Sequence, residues 1–282
     1  MSRFFFLARR FVAGESLEAA VEVVRELNGA GLDVTLNMLG EGTRDRAGAE
    51  HAVRQYLVVL DLIRDGALKA NISVKLTHLG LDIDEAYCVD NLCRILEAAK
   101  ERDIFIRLDM EGSPYTQQTL DIFYNLYESH RNAGVVIQAM LLRSPHDIFV
   151  LNKIGARVRL CKGSYREPSD LALQRMPNIR GAFLSIAEQL LRDGHYPAFA
   201  THDDYLIKGV ARYAERLEVP RDGFEFQMLY GLRPRYQREM RRQGYRMRIY
   251  VPFGTEWMPY FYRRLRERRE NVWFVLRNLL RR

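Results

Sequence analysis

The chain has 282 residues, 48% of them hydrophobic and 28% charged, and a formal net charge of +7. This length accommodates one large α/β domain or two small ones, and the composition excludes a disordered chain. Lysine and arginine are scattered among the acidic residues along the whole sequence, which argues against a nucleic-acid groove but suits an anionic cofactor or an acidic membrane surface.

Short β-rich segments alternate with amphipathic helical patterns along the chain. Eight strands are predicted, at residues 34–39, 72–77, 104–109, 135–140, 156–161, 196–201, 224–229 and 246–251. Helices are predicted at residues 49–64, 84–102, 117–131, 178–192 and 204–218, with an extra one at 15–28 and a long last one from residue 256. Repeated β-then-α units predict a (βα)8 TIM barrel rather than an open sheet. We therefore expect residues 1–282 to form one α/β domain, with an N-terminal helical segment at 1–33 and a last helix and tail at 256–282.

Strand alternation predicts an unusually polar barrel interior. The expected inward residues are Asn37, Lys75, Arg107, Asp109, Gln138, Arg159, Thr201, Glu225, Gln227 and Tyr250. An inward charge without a partner costs about 3–5 kcal/mol, so we expect a polar network, a ligand or both. The residues near the carboxyl ends of the strands, where such barrels hold active sites, are Lys75, Asp109, Gln138, Arg159, Thr201 and Tyr250. Arg107 and Glu225 lie deeper and are expected to form structural pairs.

Residues 159–168 mark the end of a buried strand that runs into a loop. Two inward arginines, Arg157 and Arg159, alternate with apolar residues in this strand. After them, Lys162 supplies positive charge, and Gly163 permits close approach of a backbone amide to a ligand. The pattern favours either a site for an anionic ligand or a structural ion pair.

Several common functional motifs do not occur in the sequence. The sequence contains no GxGxxG after a strand, no GxxxxGK[ST], no GxSxG and no HExxH. Their absence argues against the usual dinucleotide-binding fold, a P-loop, a hydrolase nucleophile elbow and a zincin. Only His202 with Asp203 and Asp204 resembles a metal cluster, and no metal site is expected. The three cysteines form no CxxC pair, so a reducing compartment is expected. The apolar run at residues 4–8 is too short for a membrane span and carries no signal pattern, so we expect a cytoplasmic protein.

The predicted last helix carries a second group of candidate residues. Arg263 and Arg264 follow Tyr260 near the expected barrel mouth, where two guanidinium groups suit the carboxylate of a small substrate. Glu267 lies one turn later and can hold either arginine in place. The spacing alone favours the alternative, in which these residues belong to a solvated arginine-rich face.

The two groups together resemble the signatures of the proline dehydrogenase family. The resemblance rests on residues 159–165, on residues 250–255 and on the pattern Tyr260-x-x-Arg263-Arg264-x-x-Glu267. Further matches lie, in order, at residues 74–76, 108–111, 137–139, 200–202 and 224–227. The resemblance is closer to the short monofunctional bacterial members than to the bifunctional ones, since no aldehyde dehydrogenase domain follows.

The resemblance implies a distorted (βα)8 barrel that holds non-covalent FAD across its strand ends. It implies that Arg159 lies beside flavin N5 and that Asp109 and Arg159 are the catalytic residues. The other implied cofactor-binding residues are Met110 and Gln138 at the isoalloxazine and Lys162, Gly163, Ser164, Thr201 and His202 along the rest of FAD. The implied substrate-binding residues are Lys75, Tyr250, Tyr260, Arg263 and Arg264, with Lys75 paired to Asp109, and Tyr165 and Glu267 are supporting residues.

The implied activity is oxidation of L-proline to Δ1-pyrroline-5-carboxylate, the first step of proline degradation to glutamate. Hydride would pass from proline C5 to flavin N5, and the electrons would pass on to a membrane quinone. Tyr250 argues for proline over 4-hydroxyproline, since relatives that oxidise hydroxyproline tend to have a smaller residue there. The arginine-rich tail suits peripheral contact with an anionic inner membrane, although a solvated closing helix is the favoured interpretation.

Two other functions remain open from the sequence. One is a flavin-free barrel lyase or hydrolase that uses Lys75 and Asp109 for acid–base chemistry. The other is a non-catalytic barrel that binds carboxylates. The N-terminal helical segment is also shorter than the helical arm of many family members, which leaves the oligomeric state open.

Overall fold

The computed structural model describes residues 5–267, except for the side chains of Phe6, Leu7 and residues 263–267. The strands are β1 (Asp33–Met38), β2 (Ala70–Val74), β3 (Ile106–Leu108), β4 (Ala133–Gln138), β5 (Arg157–Cys161), β6 (Ala198–Ala200), β7 (Glu225–Leu229) and β8 (Arg246–Phe253). The helices are α1 (Phe5–Ala8), α2 (Leu17–Gly29), α3 (Arg46–Asp65), α4 (Glu85–Glu101), α5 (Ser113–Tyr127), α6 (Ser144–Lys153), α7 (Met176–Asp193), α8 (Asp204–Arg216), α9 (Pro234–Arg242) and α10 (Trp257–Glu267). All eight strands are parallel and pair in chain order, and β8 pairs with β1 to close a barrel.

The predicted (βα)8 barrel is confirmed, and each predicted strand overlaps an observed one. Three short helices, α1, α6 and α9, are not predicted from the sequence, because each is too short to show a clear helical period. The predicted strand at 72–77 ends at Val74, where the chain turns into a 3-10 helix at Leu76–Leu79. The assignment of residues 1–282 to one domain stays a prediction, and residues 268–282 of the predicted tail lie outside the described residues.

Local sequence signals start the helices that surround the barrel. The side chains of Ser16, Asp45, Asp84 and Asp203 each accept a hydrogen bond from a backbone N–H in the first turn of the following helix. Proline stands in the first turn of α5, α6, α7 and α9, where its missing N–H carries no cost. The apolar strand residues are buried against these helices; they include Val34, Leu36, Ile72, Val74, Ile106, Leu108, Val135, Val158, Leu160, Phe226 and Ile249.

The amino end of the barrel interior contains the charged residues that alternation predicted to lie deep. Glu225 accepts two hydrogen bonds from Nε of Arg248, at 2.9 and 3.0 Å, so its structural pair comes from β8. Burial acts to raise the pKa of Glu225, but the charge and hydrogen bonds of Arg248 outweigh burial and leave the pKa below its usual value. Arg107 instead donates through Nη1 to the backbone oxygens of Val135 and Arg157. The expectation of structural pairs therefore holds for Glu225, whereas no carboxylate lies within ion-pair distance of Arg107 among the described residues.

One inward residue was assigned to the wrong face of its strand. Ala198 and Ala200 of β6 pair with Glu225 and Gln227 of β7, so the inward positions of β6 are the two alanines. Thr201 follows the strand with the opposite orientation, and its Oγ1 accepts a hydrogen bond from the backbone N–H of Asp203. The prediction that Thr201 lies in the barrel interior is therefore wrong, because β6 ends at Ala200 and Thr201 shares the alternation of Phe199, which packs against Phe224 and Phe226 in the apolar core.

The first and last described helices pack on each other beside the carboxyl end of the barrel. We call this apolar group the terminal cluster; it consists of Phe5, Ala8, Phe11, Val12, Leu39, Leu232, Trp257, Tyr260 and Phe261. Trp257 Nε1 also donates to Glu15 at 3.0 Å, and Ala13 donates its backbone N–H to Pro252 O at 2.9 Å. Helix α10 is thereby held over the ends of β1 and β8. Within residues 5–267, no helix is both long and apolar enough to cross a membrane.

Candidate active site

Asp109 lies at the centre of the polar carboxyl end of the barrel. Its Oδ1 accepts a hydrogen bond from Arg159 Nη1 at 2.7 Å, and its Oδ2 accepts one from Tyr250 Oη at 2.6 Å. Arg159 also donates from Nη2 to Ser73 Oγ at 3.2 Å. These bonds connect side chains from or beside β2, β3, β5 and β8 across the barrel, which is the polar network that the inward charges required.

Lys75 is not part of this network. Its Nζ lies 4.0 Å from Glu41 Oε2 in the loop after β1, whereas both oxygens of Asp109 are bonded to Arg159 and Tyr250. The predicted pairing of Lys75 with Asp109 is therefore wrong. The reason is that β2 ends at Val74, so Lys75 stands at the start of the 3-10 helix and not inside the strand. A flavin-free acid–base mechanism that uses this pair loses its structural support.

One nitrogen of the Arg159 guanidinium has no hydrogen-bond partner although the residue is 4% exposed. Its Nε is buried and has no hydrogen-bond partner, while Nη1 and Nη2 are bonded to Asp109 and Ser73. The centre of the guanidinium lies 5.3 Å from the ring of Tyr250. A buried donor that is left unpaired costs about 1–3 kcal/mol, so such a group is a candidate for ligand binding.

Tyr250 acts as a neutral donor in the network. Burial and the charge of Asp109 raise the pKa of Tyr250 well above its ordinary value. The phenol consequently keeps its proton and donates a hydrogen bond to the Asp109 carboxylate. The phenol of Tyr250 is therefore the donor and the Asp109 carboxylate the acceptor in this hydrogen bond.

Gln138 and the residues after β3 form the wall beside this network. Gln138 Nε2 donates to the backbone oxygen of Glu111 at 3.0 Å, and Gln138 is 2% exposed. The Glu111 carboxylate accepts from Thr77 N at 3.2 Å and from Thr77 Oγ1 at 2.7 Å. Met110, which is 7% exposed, lies between Asp109 and Glu111 in this segment. These bonds fix the backbone of residues 109–111, and the side chain of Glu111 is a structural contributor that sequence reasoning did not assign.

Lys162 and Gly163 leave β5 with a backbone conformation that favours glycine. Gly163 has a φ of +106°, and a Cβ built there would lie 2.4 Å from Met140 Sδ. Met140 and Lys162 are also joined by a backbone hydrogen bond of 2.9 Å. Ser164 is exposed in the following loop, and Tyr165 packs against the apolar group that contains Met140. The chain therefore passes close to the end of β4, and at Gly163 no side chain covers its backbone.

A polar cleft of about 730 Å3 lies next to this loop, beyond the ends of β5 and β6. Lys162 Nζ and Arg180 Nε both reach Asp203 Oδ2, at 3.3 and 2.8 Å. Arg233 donates to the backbone oxygen of His202 at 2.8 Å and pairs with Asp204 at 2.7 Å. The cleft is lined by Lys162, Met176, Arg180, His202, Asp203, Asp204, Tyr205 and Arg233.

The cleft brings together residues that are distant in sequence, and sequence reasoning identified only some of them. Lys162 and His202 were assigned to cofactor binding; Thr201 lies beside them in the turn that leads to α8. Arg180 and Arg233 were missed. Arg180 lies in the first turn of the helix predicted at 178–192, and that position was the available signal for it. Arg233 has a left-handed backbone conformation directly before α9, a helix that was not predicted, so no sequence signal pointed to it.

The remaining predicted residues belong to α10. Tyr260 is 6% exposed and packs in the terminal cluster, with Trp257 and Phe261 from the same helix. The backbone of α10 extends to Glu267. The side chains of Arg263, Arg264 and Glu267 lie outside the described residues, so their predicted roles stay predictions. Within the described part of the chain, no group of three or more His, Cys, Asp and Glu side chains is arranged to hold a metal ion.

His78 lies under the loop after β1 and gives the folded protein a pH dependence. Its ring lies directly against the backbone of Gly40, and its Nδ1 is 3.4 Å from Tyr56 Oη. Burial, followed by the charge of Lys75, lowers the pKa of His78 to about 4. Between pH 6.5 and pH 4 the unfolded chain therefore binds a proton that the folded protein rejects, so stability falls as the pH falls.

We expect this one group to cost about 2 kcal/mol of unfolding free energy between pH 7 and pH 5. Urea unfolding of His78→Gln at the two pH values should show a correspondingly smaller loss than the unsubstituted protein. His195→Gln, at an exposed histidine, serves as the matched control and should leave the pH dependence unchanged. Equal pH dependence in the His78 and His195 variants would refute the assignment.

The closed barrel and its hydrogen-bonded polar carboxyl end define a (βα)8-barrel protein, with a cleft beside that end that Lys162, Arg180 and Arg233 help to line. The model of the family described as Proline dehydrogenase matches residues 20–277. Proline dehydrogenase 1 of Bacillus subtilis (strain 168) is 40% identical over 276 residues, which cover 97% of this chain and 90% of that protein. Proline dehydrogenase of Deinococcus radiodurans is 34% identical over 279 residues, again 97% of this chain and 90% of that protein. The chain belongs to the proline dehydrogenase family and is an oxidoreductase.

Solved structures agree with this assignment. A crystal structure of proline utilization A (PutA) from Bdellovibrio bacteriovorus, inactivated by N-propargylglycine, superposes with a TM-score of 0.86 at 28% sequence identity. The match covers 93% of this chain and 32% of that one, so this chain spans about a third of the PutA chain. The barrel described above is thus the same fold as the matching part of PutA.

Proposed function

We propose that this chain oxidises L-proline to Δ1-pyrroline-5-carboxylate with non-covalent FAD, the first step of proline degradation to glutamate. The buried Arg159 is the observation that carries the proposal, because its Nε has no partner and the residue stands at the carboxyl end of the barrel. A cofactor with an acceptor atom at this point would satisfy that donor. Family membership and the names of the relatives support the same activity.

The residues present fit FAD at both ends of the cofactor. Arg159 and Gln138 would hold the isoalloxazine, with the bonded backbone of residues 109–111 beside it. The cleft contains three basic side chains, Lys162, Arg180 and Arg233, which suit the pyrophosphate and adenosine portions. When bound, FAD supplies the hydride acceptor for the reaction, N5 of the isoalloxazine.

The side chains of the barrel would position the substrate and stabilise the charge that develops in the reaction. Asp109 holds the guanidinium of Arg159 from the side opposite Nε, so the direction of the free donor is fixed. Tyr250 lies across Asp109 and offers a protonated phenol and an aromatic face to the proline ring. Arg263 and Arg264 would bind the proline carboxylate, and C5 must face the hydride acceptor with the amine deprotonated.

The electron acceptor and the location are parts of the same proposal. We infer that the electrons pass to a membrane quinone and that the enzyme is cytoplasmic, with the arginine-rich tail available for peripheral contact with an anionic inner membrane. Both inferences rest on the resemblance to the family. An assay with a soluble quinone analogue, with and without anionic vesicles, tests them directly.

The first experiment is a visible spectrum of freshly purified protein, followed by anaerobic addition of L-proline. Oxidised flavin bands that bleach with L-proline and not with D-proline are expected. A colourless protein should recover the bands when FAD is added. A protein that neither carries nor takes up FAD would disprove the proposal and favour a carboxylate-binding barrel.

Gly163→Ala should weaken FAD binding and lower stability. A φ of +106° at an alanine, together with the close approach of Met140, should cost about 1–3 kcal/mol of unfolding free energy. Since the displaced loop carries Lys162, we expect FAD to bind about tenfold more weakly, as measured by fluorescence titration. Gly155 has a φ of +70° with open space around it, so Gly155→Ala should show the strain alone and bind FAD normally. Unchanged FAD affinity in Gly163→Ala would contradict the role of this loop.

A further inference from the structure

The barrel has a second polar cavity at its amino end, on the side opposite the candidate active site. Its volume is about 280 Å3, enough for a small organic molecule. Residues of the amino-terminal halves of β1, β2, β5, β7 and β8 contribute to it. Four basic side chains line it, Lys69, Arg107, Arg157 and Arg248, together with three acidic ones, Asp33, Asp103 and Glu225. None of these residues has a role in the proposed oxidation of proline.

Two of the three acidic side chains, Glu225 and Asp33, lie beside one of the arginines, Arg248. Arg248 donates to both oxygens of Glu225, donates to the backbone oxygen of Val34 at 2.9 Å and lies 3.7 Å from Asp33. Its charge and most of its hydrogen-bonding capacity are thus satisfied within the protein. The remaining positive charges in the cavity are those of Arg107, Arg157 and Lys69, and the remaining negative charge is that of Asp103.

Arg107 is buried and has unused donors. It is 3% exposed, and its two hydrogen bonds both leave from Nη1 toward backbone oxygens. Its Nε is buried without a partner among the described residues. Backbone oxygens do not neutralise a guanidinium, and a buried charge without a counter-ion is costly. Burial, followed by the positive charge of Arg159, lowers the pKa of Arg107, which a bound anion would reverse.

Arg157 stands beside it with an uncompensated charge. Its guanidinium lies 5.4 Å from the ring centres of both Phe105 and Tyr196. Within residues 5–267, no carboxylate lies within ion-pair distance of it. The two rings orient the planar group and leave its N–H edge available. Asn71 adds a neutral donor to the same cavity, since its Oδ1 accepts from Thr35 Oγ1 at 2.6 Å and its Nδ2 is left to donate.

We propose that the amino-end mouth of the barrel is a second ligand site, which binds a small organic carboxylate between Arg107 and Arg157. A carboxylate matches the planar fork of a guanidinium with two parallel hydrogen bonds. Asn71 would supply a further hydrogen-bond donor, and the positive charge of Lys69 at the rim would attract the carboxylate. The site lies at the other end of the barrel from Asp109 and Arg159, so it can be occupied independently of the substrate site.

Protection from arginine modification tests the proposal on the full unsubstituted chain. Phenylglyoxal is added with and without malonate at constant ionic strength, and the modified residues are quantified by peptide mass spectrometry. Malonate should slow modification of Arg157 by about threefold or more, as expected when a carboxylate occupies the guanidinium edge. Arg131 is exposed, stacks on Tyr127 and lies outside the cavity, so its modification should not change. Equal modification of Arg157 with and without malonate would overturn the proposal.

Calorimetric titration with malonate then assigns the binding to this cavity. Arg157→Gln should weaken malonate binding by about tenfold, the value of one lost charge-assisted hydrogen-bond pair. Arg131→Gln is the matched control and should bind like the unsubstituted protein. Malonate affinity that survives in Arg157→Gln would place the anion elsewhere and reject the site. Tighter binding of inorganic phosphate than of malonate would reject a carboxylate as the ligand class.

Discussion

Replacement of Arg159 by methionine is expected to lower kcat/KM for L-proline by about 100- to 1000-fold. Arg159 would place a buried positive charge and a free N–H donor beside the atom that accepts the hydride. Negative charge develops there during the reaction, and a preoriented donor in a site of low polarity stabilises such charge strongly. Methionine keeps a similar volume and removes the charge, the donor and the bond to Asp109.

The measurement is the anaerobic rate of flavin bleaching by L-proline in rapid mixing, on protein loaded with FAD and checked for its absorbance. Arg159→Lys should retain part of the rate, because it restores the charge without the planar fork. Arg246→Lys serves as a control, since Arg246 is exposed at the amino end of β8, and it should react like the unsubstituted enzyme. A rate for Arg159→Met within threefold of that enzyme would exclude the assigned role.

The second large effect is on stability. Asp109→Ala should lower the free energy of unfolding by about 3–5 kcal/mol, because it leaves the buried Arg159 guanidinium without its carboxylate. The pair has an N–O distance of 2.7 Å, and the side chains are 5% and 11% exposed. Tyr250 loses its acceptor as well. Urea unfolding in the absence of added FAD measures the change without the stabilisation that a ligand contributes.

A double-mutant cycle separates the pair from the general effect of truncation. Asp109→Ala combined with Arg159→Met should recover part of the loss, since the double variant buries neither charge. Asp109→Asn should cost less than Asp109→Ala, because the amide oxygen still accepts a hydrogen bond from one of the two donors. Additive losses in the cycle would show that the two residues do not stabilise each other, contrary to the geometry.

Periodicity was sufficient to predict the barrel and most of its inward residues. Apolar alternation of period two separates inward from outward side chains, as for Arg107 in β3 and for Asp109 directly after it. It failed for Thr201, because β6 ends at Ala200 and its two alanines, not Phe199, have the inward positions. A strand of three residues contains too few alternating side chains to show from sequence which face is inward. Strand ends depend on neighbouring strands and loops, which local pattern does not contain.

The candidate site was only partly predictable for a related reason. The resemblance to the family assigned Arg159, Lys162 and Gly163 to the site from a short run of neighbouring residues. The pairing of Asp109 with Arg159 joins residues 50 positions apart, and the bond from Tyr250 to Asp109 spans 141. Several carboxylates and cations could have paired across the barrel, so pattern alone did not distinguish Lys75 from Arg159 as the partner of Asp109.

The order and type of the residues were enough to establish the fold class, the inward polar face, the absence of the common nucleotide and metal motifs, and the family. These properties follow from periodicity and from short runs of residues, which are local. The tertiary structure decided which charges neutralise each other, which donors stay free and that Arg180 and Arg233 join Lys162 in one cleft. Those properties depend on distances of a few ångströms between side chains from different strands, and barrel closure alone sets such distances.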